Sequence, residues 1–352
     1  MHWAKTRSRA KFNLALSGLA AYPLSDLANH AADVFVPGQS LYGYGPLQGA
    51  LAAKYHVAPE CVVEAIGTSL ANHLAMAALL DRGEEVIIED PAYEPLVAVA
   101  RYLGAEHKRF SRKFEDSFRL DVDEVARQLS GRTRLIVLTN LHNPSSVLTE
   151  NDALKQLGAL ARSAGARVLL DEVYLGAMFD REQQSAFHLG REFVVTNSLT
   201  KVYGLGGLRC GWVLAEPELA QRIWRLNDLF GVSSPHPIER LSVIALENLR
   251  PIADRAERIL TANRKLLHEF LDTRDDLEAV RAPFGTTCFP RLLRGDVAKL
   301  CELLREKYET SIVPGSFFGM PEHFRLGICG ETENVAGGLE RLGEALDELE
   351  TI

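Results

Sequence analysis

The sequence predicts an α/β fold, with a large domain built on a mainly parallel seven-stranded sheet flanked by helices and a smaller α+β domain beside it. Three observations lead there. From about Leu47 to Ala215, short β-branched runs alternate with helical patterns, which implies βαβ units and a parallel sheet. After Pro217 the alternation gives way to long amphipathic helices with few strand-like segments. The 352 residues exceed what one ordinary core supports, and a 47% hydrophobic content is ample for two.

Taken in order, Phe12 to Tyr22 runs apolar through a Ser17-Gly18 step to Pro23, a short strand or extended arm followed by a loop. Ser25 is placed to cap a helix beginning near Asp26. Leu41-Tyr42-Gly43-Tyr44-Gly45-Pro46 is too rich in glycine and aromatics for a helix interior, so it reads as a loop. The strand candidates are Val62–Ile66, Glu85–Glu89, Glu106–Phe110, Leu135–Thr139, Arg167–Leu170, Phe193–Thr196 and Trp212–Ala215. Helical stretches fall between them at Leu70–Leu80, Glu94–Leu103, Val122–Leu129 and Asn151–Ser163. Beyond Pro217, helices are expected over Ile238–Leu249, Ile252–Leu271, Val297–Lys307 and Val335–Leu349, with strand-like segments at Thr286–Leu293 and Phe324–Ile328. The division expected is residues 1–40 as an N-terminal arm and part of the small domain, 41–230 as the large domain, and 231–352 as the small C-terminal domain.

A formal net charge of −8 offers no extended basic surface, which argues against nucleic acid or an anionic membrane as the main partner. No run approaches the roughly 20 apolar residues that span a bilayer. The basic N-terminus leads into polar and charged residues, so no secretory signal is expected. The five cysteines are dispersed, odd in number and without CxxC pairing, as suits reduced thiols in a cytoplasm.

Candidate chemistry gathers just after the strands. Lys201 follows the buried run Phe193–Thr196 and precedes a glycine-rich loop. Partial desolvation there favours its neutral amine, which can attack a carbonyl to form a Schiff base; taken alone, a solvated surface lysine is the stronger reading. Arg209 is suited to gripping a phosphate. Gly67-Thr68-Ser69 opens a helix after a strand, either a phosphate seat or a plain N-cap turn. Tyr93 could stack on a planar ligand or pack under the next helix. Asn143 sits in a turn whose Asx and proline chemistry needs no ligand. Asp171, ending the apolar Val168-Leu169-Leu170, requires a positive partner, while Glu172 reads as a solvated or structural neighbour and His142 as a loop residue, ranked below Asn143, with nothing near it to suggest a relay. Individually the bland explanations hold. Collectively they fail, because a parallel sheet gathers Gly67, Thr68, Ser69, Tyr93, Asn143, Asp171, Tyr174 and Lys201 around one crevice. Phosphate donors, an aromatic plate, donors for a phenolic oxygen, a carboxylate and an amine together describe a pocket for pyridoxal 5'-phosphate.

Over nearly its whole length the chain resembles the class I/II aminotransferases, the aspartate-aminotransferase-like, fold type I group of pyridoxal-phosphate enzymes. The spacing from Ser198 through Lys201 to Arg209 carries the resemblance, with Phe324-Arg325-Leu326-Gly327-Ile328 and Val313-Pro314-Gly315-Ser316-Phe317-Phe318-Gly319 near the C-terminus. It implies that Lys201 forms the Schiff base and Asp171 pairs with the pyridine nitrogen. Tyr174 and Asn143 then bond the phenolic oxygen, and Tyr93 stacks on the ring. Gly67, Thr68, Ser69, Ser198 and Arg209 hold the phosphate. Arg325 takes the substrate α-carboxylate, with Asn143 and Gly18 of the Ser17-Gly18 step also at the substrate. The function implied is amino-group transfer between an amino acid and a 2-oxo acid in a cytoplasmic homodimer, with Tyr42 or Tyr44 reaching the neighbouring subunit's site. A lyase on the same scaffold, eliminating or decarboxylating, is the alternative, and a non-catalytic ligand-sensing module the remote one. Three departures stand out. Asn143-Pro144-Ser145-Ser146 lacks the glycine usual in that loop, so a different loop path is expected. The segment before Leu47 is short. Asp228-Leu229-Phe230 stands where the dicarboxylate-specific branch carries an extra arginine, which speaks against aspartate or glutamate as main donor.

Overall fold

The apolar runs form one seven-stranded sheet: β1 (Val62–Ile66), β2 (Glu85–Asp90), β3 (Glu106–Ser111), β4 (Thr133–Thr139), β5 (Arg167–Asp171), β6 (Phe193–Ser198) and β7 (Cys210–Leu214). The computed structural model describes residues 2–27, 42–179 and 184–349. The end of the expected N-terminal arm, 28–40, lies outside the described residues, as does Leu41 of the tyrosine loop. In space the strands run β1-β7-β6-β5-β4-β2-β3. Every pair is parallel except the two made by β7, which lies antiparallel between β1 and β6. The carboxyl ends of β1, β2, β4, β5 and β6 therefore share one edge with the amino end of β7.

Period-2 alternation explains why both faces of this sheet are buried. Val63, Ile88, Val137, Leu169, Val194 and Val213 pack on one face, and Val62, Ile87, Ile136, Leu170, Val195 and Trp212 belong to the core on the other. The first face is covered by the helix Gly67–Leu79 (α1), which runs from the end of β1 beneath β7, β6 and β5, and by Pro217–Asn227 (α2). Crossing the sheet is what allows β1 and β2, adjacent in sequence, to stand far apart in space.

The C-terminal helices are His236–Glu247 (α3), Leu249–Asp272 (α4), Val297–Glu306 (α5) and Thr332–Leu349 (α6). The expected strand over Thr286–Leu293 is two pieces. Thr287–Cys288 (β8) pairs with Phe324–Gly327 (β10), which also pairs with Val313–Pro314 (β9), whereas Arg291–Leu292 pairs with Leu277–Glu278. Pro290 lies at the break and has no N–H to continue a ladder. Ser25 lies inside a helical turn, Leu24–Leu27, and its hydroxyl bonds Asp26. Phe12–Asn13 pairs in parallel with Thr310–Ser311, and Gly327 donates its N–H to Leu14, so the N-terminal arm is stitched into the C-terminal unit.

One core position conflicts with its surroundings. Glu64 of β1 is buried on the Trp212 face; one carboxylate oxygen accepts the Tyr44 N–H at 2.9 Å, and the other has no partner. Burial, and then repulsion from buried Glu239, raises its pKa to about 8. The folded protein keeps this proton while the unfolded chain releases it near pH 4, so stability falls as pH rises from about 4 to 8 and the full cost persists above. Glu64→Gln, which keeps the acceptor for Tyr44, is expected to raise the melting temperature at pH 9 by about 2 °C or more, with a smaller gain at pH 5. Thermal unfolding at the two pH values checks it.

Candidate active site

At the sheet edge, residues from five strand ends converge with Arg325 of β10. Gly67 begins α1 with φ +75°, and a Cβ there would lie 2.2 Å from an Arg209 guanidinium nitrogen. Glycine is required for that approach. Because β7 is antiparallel, Arg209, which immediately precedes it, reaches the amino end of α1 although it does not follow a strand. The guanidinium is exposed and has no carboxylate partner among the described residues. Thr68 is buried with its hydroxyl unpartnered, and Ser69 is exposed beside it. A helix amino terminus, an idle hydroxyl and an unpaired guanidinium form an anion seat. The Ser198 hydroxyl, in contrast, is engaged by Thr200 Oγ1 at 2.7 Å.

Asp171, at the end of β5, is buried. Its Oδ2 accepts from Asn72 Nδ2 at 2.8 Å and its Oδ1 from the Val173 N–H at 3.0 Å. Asn72 is itself fixed by Thr196 Oγ1 at 2.6 Å. Burial pushes the Asp171 carboxyl up to about 6, against the hydrogen bonds and the nearby Lys201. No cation forms an ion pair with it among the described residues, so the site supplies a carboxylate suited to a positively charged group.

Lys201 is held by backbone as well as by burial. Its carbonyl accepts the Leu19 N–H at 2.7 Å, and Gly18 lies against its side chain, where a Cβ would stand in ordinary van der Waals contact with Lys201 Cδ at 3.5 Å. The amine lies 3.4 Å from Ser17 Oγ. Burial, the largest cause, lowers its pKa; Tyr93 opposes this and the Arg325 charge adds to it. The Tyr93 phenol is raised by burial and also bonds Ser69. Tyr174 is pushed up to about 12 by burial, while Arg325 and a bond to Ser17 oppose that rise. Both tyrosines therefore stay protonated donors at neutral pH.

Arg325, on β10, is buried. One amino group donates to Asn143 Oδ1 at 3.0 Å, another to the Ala15 carbonyl at 3.2 Å, and Nε has no partner. Its guanidinium lies over the Phe318 ring at 5.5 Å. Asn143 is positioned from behind: its N–H donates to Thr139 Oγ1, Thr139 bonds Glu89, and Glu89 pairs with fully buried Arg112 at 2.9 Å. In the same loop Ser146 takes a left-handed φ of 62°, which glycine adopts most readily, and its hydroxyl is tied to the Thr287 carbonyl at 2.8 Å.

Residues 24–342 match the sequence model of the family described as aminotransferase class I and II. The chain belongs to this family. It is an aminotransferase, a transferase that depends on pyridoxal 5'-phosphate and takes amino acid and 2-oxo acid substrates. It is 29% identical to capreomycidine synthase of Streptomyces vinaceus, over 98% of this chain and 92% of that one. To a probable aspartate/prephenate aminotransferase of Aquifex aeolicus it is 26% identical, over 84% and 78%. Among solved structures, a PLP-dependent aminotransferase from Streptococcus suis superposes with a TM-score of 0.93 at 23% identity, covering 99% and 96%.

The pocket of this aminotransferase fits its cofactor: an unpaired buried carboxylate, an amine of lowered pKa, and an anion seat whose glycine leaves room only for Arg209. Gly18, Gly67, Thr68, Ser69, Tyr93, Asn143, Asp171, Tyr174, Lys201, Arg209 and Arg325 all meet at this edge. Asn72 and Thr196 carry no local signal in the sequence; Asn72 lies inside α1 and reaches Asp171 only once that helix crosses beneath β5. Glu172 is buried, not solvated: its Oε1 accepts the Ala186 N–H, and burial raises its pKa to about 7. His142 is structural, held between Ser145 Oγ and the Pro91 carbonyl. Tyr42 bonds Asp228 and packs on Trp224, while Tyr44 meets His236 edge-on.

Proposed function

We propose that amino-group transfer in this protein is carried by Lys201 as proton carrier, with Asp171, Tyr174 and Asn143 fixing the cofactor ring and Arg325 fixing the substrate. The observation that carries this assignment is the buried Lys201 amine beside Tyr93 and Arg325 and within electrostatic reach of Asp171. Pyridoxal phosphate, when bound, supplies an aldehyde that takes up the amino group and a ring that accepts the charge left at the substrate α-carbon. Asp171 stabilises positive charge on the ring nitrogen, and the Asn72 amide keeps its carboxylate oriented. Tyr93 gives the ring a flat partner. Gly67, Thr68, Ser69, Ser198 and Arg209 hold the phosphate end, and Gly18 closes the arm over Lys201. Arg325 takes the α-carboxylate, steadied by Asn143. So placed, the Lys201 amine, whose pKa burial lowers, removes the α-proton in its deprotonated form and returns it one carbon away. The test mixes the loaded protein with an amino acid and then with a 2-oxo acid, following cofactor absorbance: reversible interconversion of aldehyde and amine forms is expected, whereas pyruvate and ammonia released without an acceptor would overturn it.

Removing the Arg325 charge leaves a substrate carboxylate unpaired in a buried site, so Arg325→Ala is expected to lower kcat/KM roughly 30-fold or more, mainly through KM. Steady-state kinetics across substrate concentrations checks it.

The arm-to-small-domain pairing is consistent with units of 1–40 plus 231–352 around a large domain of 41–230. No helix among the described residues is long and apolar enough to cross a membrane, and dispersed, unpaired cysteines suit a cytoplasmic setting. Exposed Ile66, Leu229, Phe230 and Val232 lie near the phosphate end, an apolar surface suited to a homodimer in which Tyr42 or Tyr44 serves the neighbouring site.

A further inference from the structure

Beside Arg325 and Tyr93 opens a cavity of about 450 Å³ whose walls are Trp3, Phe317, Phe318 and Val313. Trp3, on the N-terminal helical turn His2–Thr6, meets Phe317 edge-on at 5.6 Å. Phe318 does not stand alone: it packs in a separate apolar core with Phe114, Phe118 and Phe289, and Phe289 meets it at 5.4 Å. His323 stacks on Phe289 at 5.0 Å with both ring nitrogens unpartnered, and burial lowers its pKa to about 4, so the support behind the wall is neutral at physiological pH. Among the described residues the arginine on the lining is Arg325, already assigned to the α-carboxylate, and exposed Glu94 sits at the rim.

We propose that this cavity is the side-chain subsite and that it selects amino acids with a large apolar, above all aromatic, side chain, with Trp3 as its specificity-determining wall. The proposal rests on the assignment of Arg325 to the substrate carboxylate. An amino acid gripped there extends its side chain between Trp3, Phe317 and Phe318, where an aromatic ring gains both area burial and edge-to-face contacts. Among the described residues a second carboxylate finds no arginine or lysine on the lining beyond Arg325, so a dicarboxylate loses its hydration without recompense.

Binding and turnover are read separately. Calorimetric titration of the loaded protein with 3-phenylpropionate, propionate and glutarate is expected to rank phenylpropionate roughly tenfold or more tighter than either other acid. Trp3→Ala is expected to lower the ratio of kcat/KM for phenylalanine over alanine by roughly tenfold, while Trp3→Phe restores most of it. Equal or tighter binding of glutarate, a higher kcat/KM for glutamate, aspartate or arginine than for phenylalanine, or an equal loss for alanine and phenylalanine in Trp3→Ala would overturn the subsite and leave the transferase chemistry standing. Tight phenylpropionate binding without turnover of any amino acid would instead uphold the subsite and remove the proposed Lys201 role.

Discussion

Lys201→Ala is expected to reduce amino-group transfer by about 10⁴-fold or more and to abolish the visible absorbance of the lysine-bound cofactor. The size of the effect follows from the geometry. One amine sits within electrostatic reach of Tyr93, Arg325 and Asp171, and among the described residues no second lysine is placed there to take over its proton transfer. Its lowered pKa matters as much as its position, since an amine kept charged by water would be a poor base. Histidine or arginine in its place would bring a ring or a charge without a free amine, so neither is expected to restore function. Small external amines, which can enter the space vacated by the side chain, are expected to recover part of the rate. Absorbance spectra and single-turnover kinetics of the variant check both parts; wild-type absorbance in Lys201→Ala would defeat the assignment.

Asp171→Asn is expected to lower kcat by about 10³-fold while making the cofactor-free protein less sensitive to pH. Two opposed effects meet at this residue. In the proposed role the carboxylate would stabilise positive charge on the ring nitrogen, so its loss would weaken the ring as an acceptor of charge. Without that partner the same carboxylate is a buried, unpaired acid whose pKa burial has raised to about 6. The folded apoprotein therefore holds a proton between pH 4 and 6 where the unfolded chain has lost it, and stability falls as pH rises through that window. Asparagine removes the slope. It is also accommodated, because the Asn72 amide and the Thr196 hydroxyl can exchange donor and acceptor roles in their chain of hydrogen bonds. Melting temperatures of the apoproteins at pH 5 and pH 8 should differ less for the variant than for the wild type, while its turnover collapses. A wild-type kcat in Asp171→Asn would sever the carboxylate from the chemistry.

The strands and most helices were legible because they are written in local periodicity. Val62–Ile66 and Asn151–Ser163 have the bounds expected from their patterns, and the other large-domain strands differ only at their ends. Where a strand ends, the crevice begins, so Lys201, Asp171, Tyr93 and Asn143 could be placed from the sequence. The exceptions have identifiable causes. Pro290 divides a segment whose apolar content reads as one strand, and Asn248 separates α3 from α4.

By itself, the sequence determined the class of fold, the edge of the sheet that carries the chemistry, and the one lysine that stands at its centre, because each depends on composition and spacing within a few residues. Only the tertiary structure decided who meets whom across the chain. It brought Asn72 from inside α1 to Asp171, set Arg209 against Gly67 through an antiparallel strand, and laid Trp3 near Arg325 along one cavity. It also buried Glu172, for which the sequence leaves a solvated and a structural place both open. These contacts join residues far apart in sequence, and no local period records them; they follow from the order in which strands pair and from the helix that must cross beneath the sheet. Lys201 thus owes its identity to the sequence, and its lowered pKa to burial by partners that only the fold assembles.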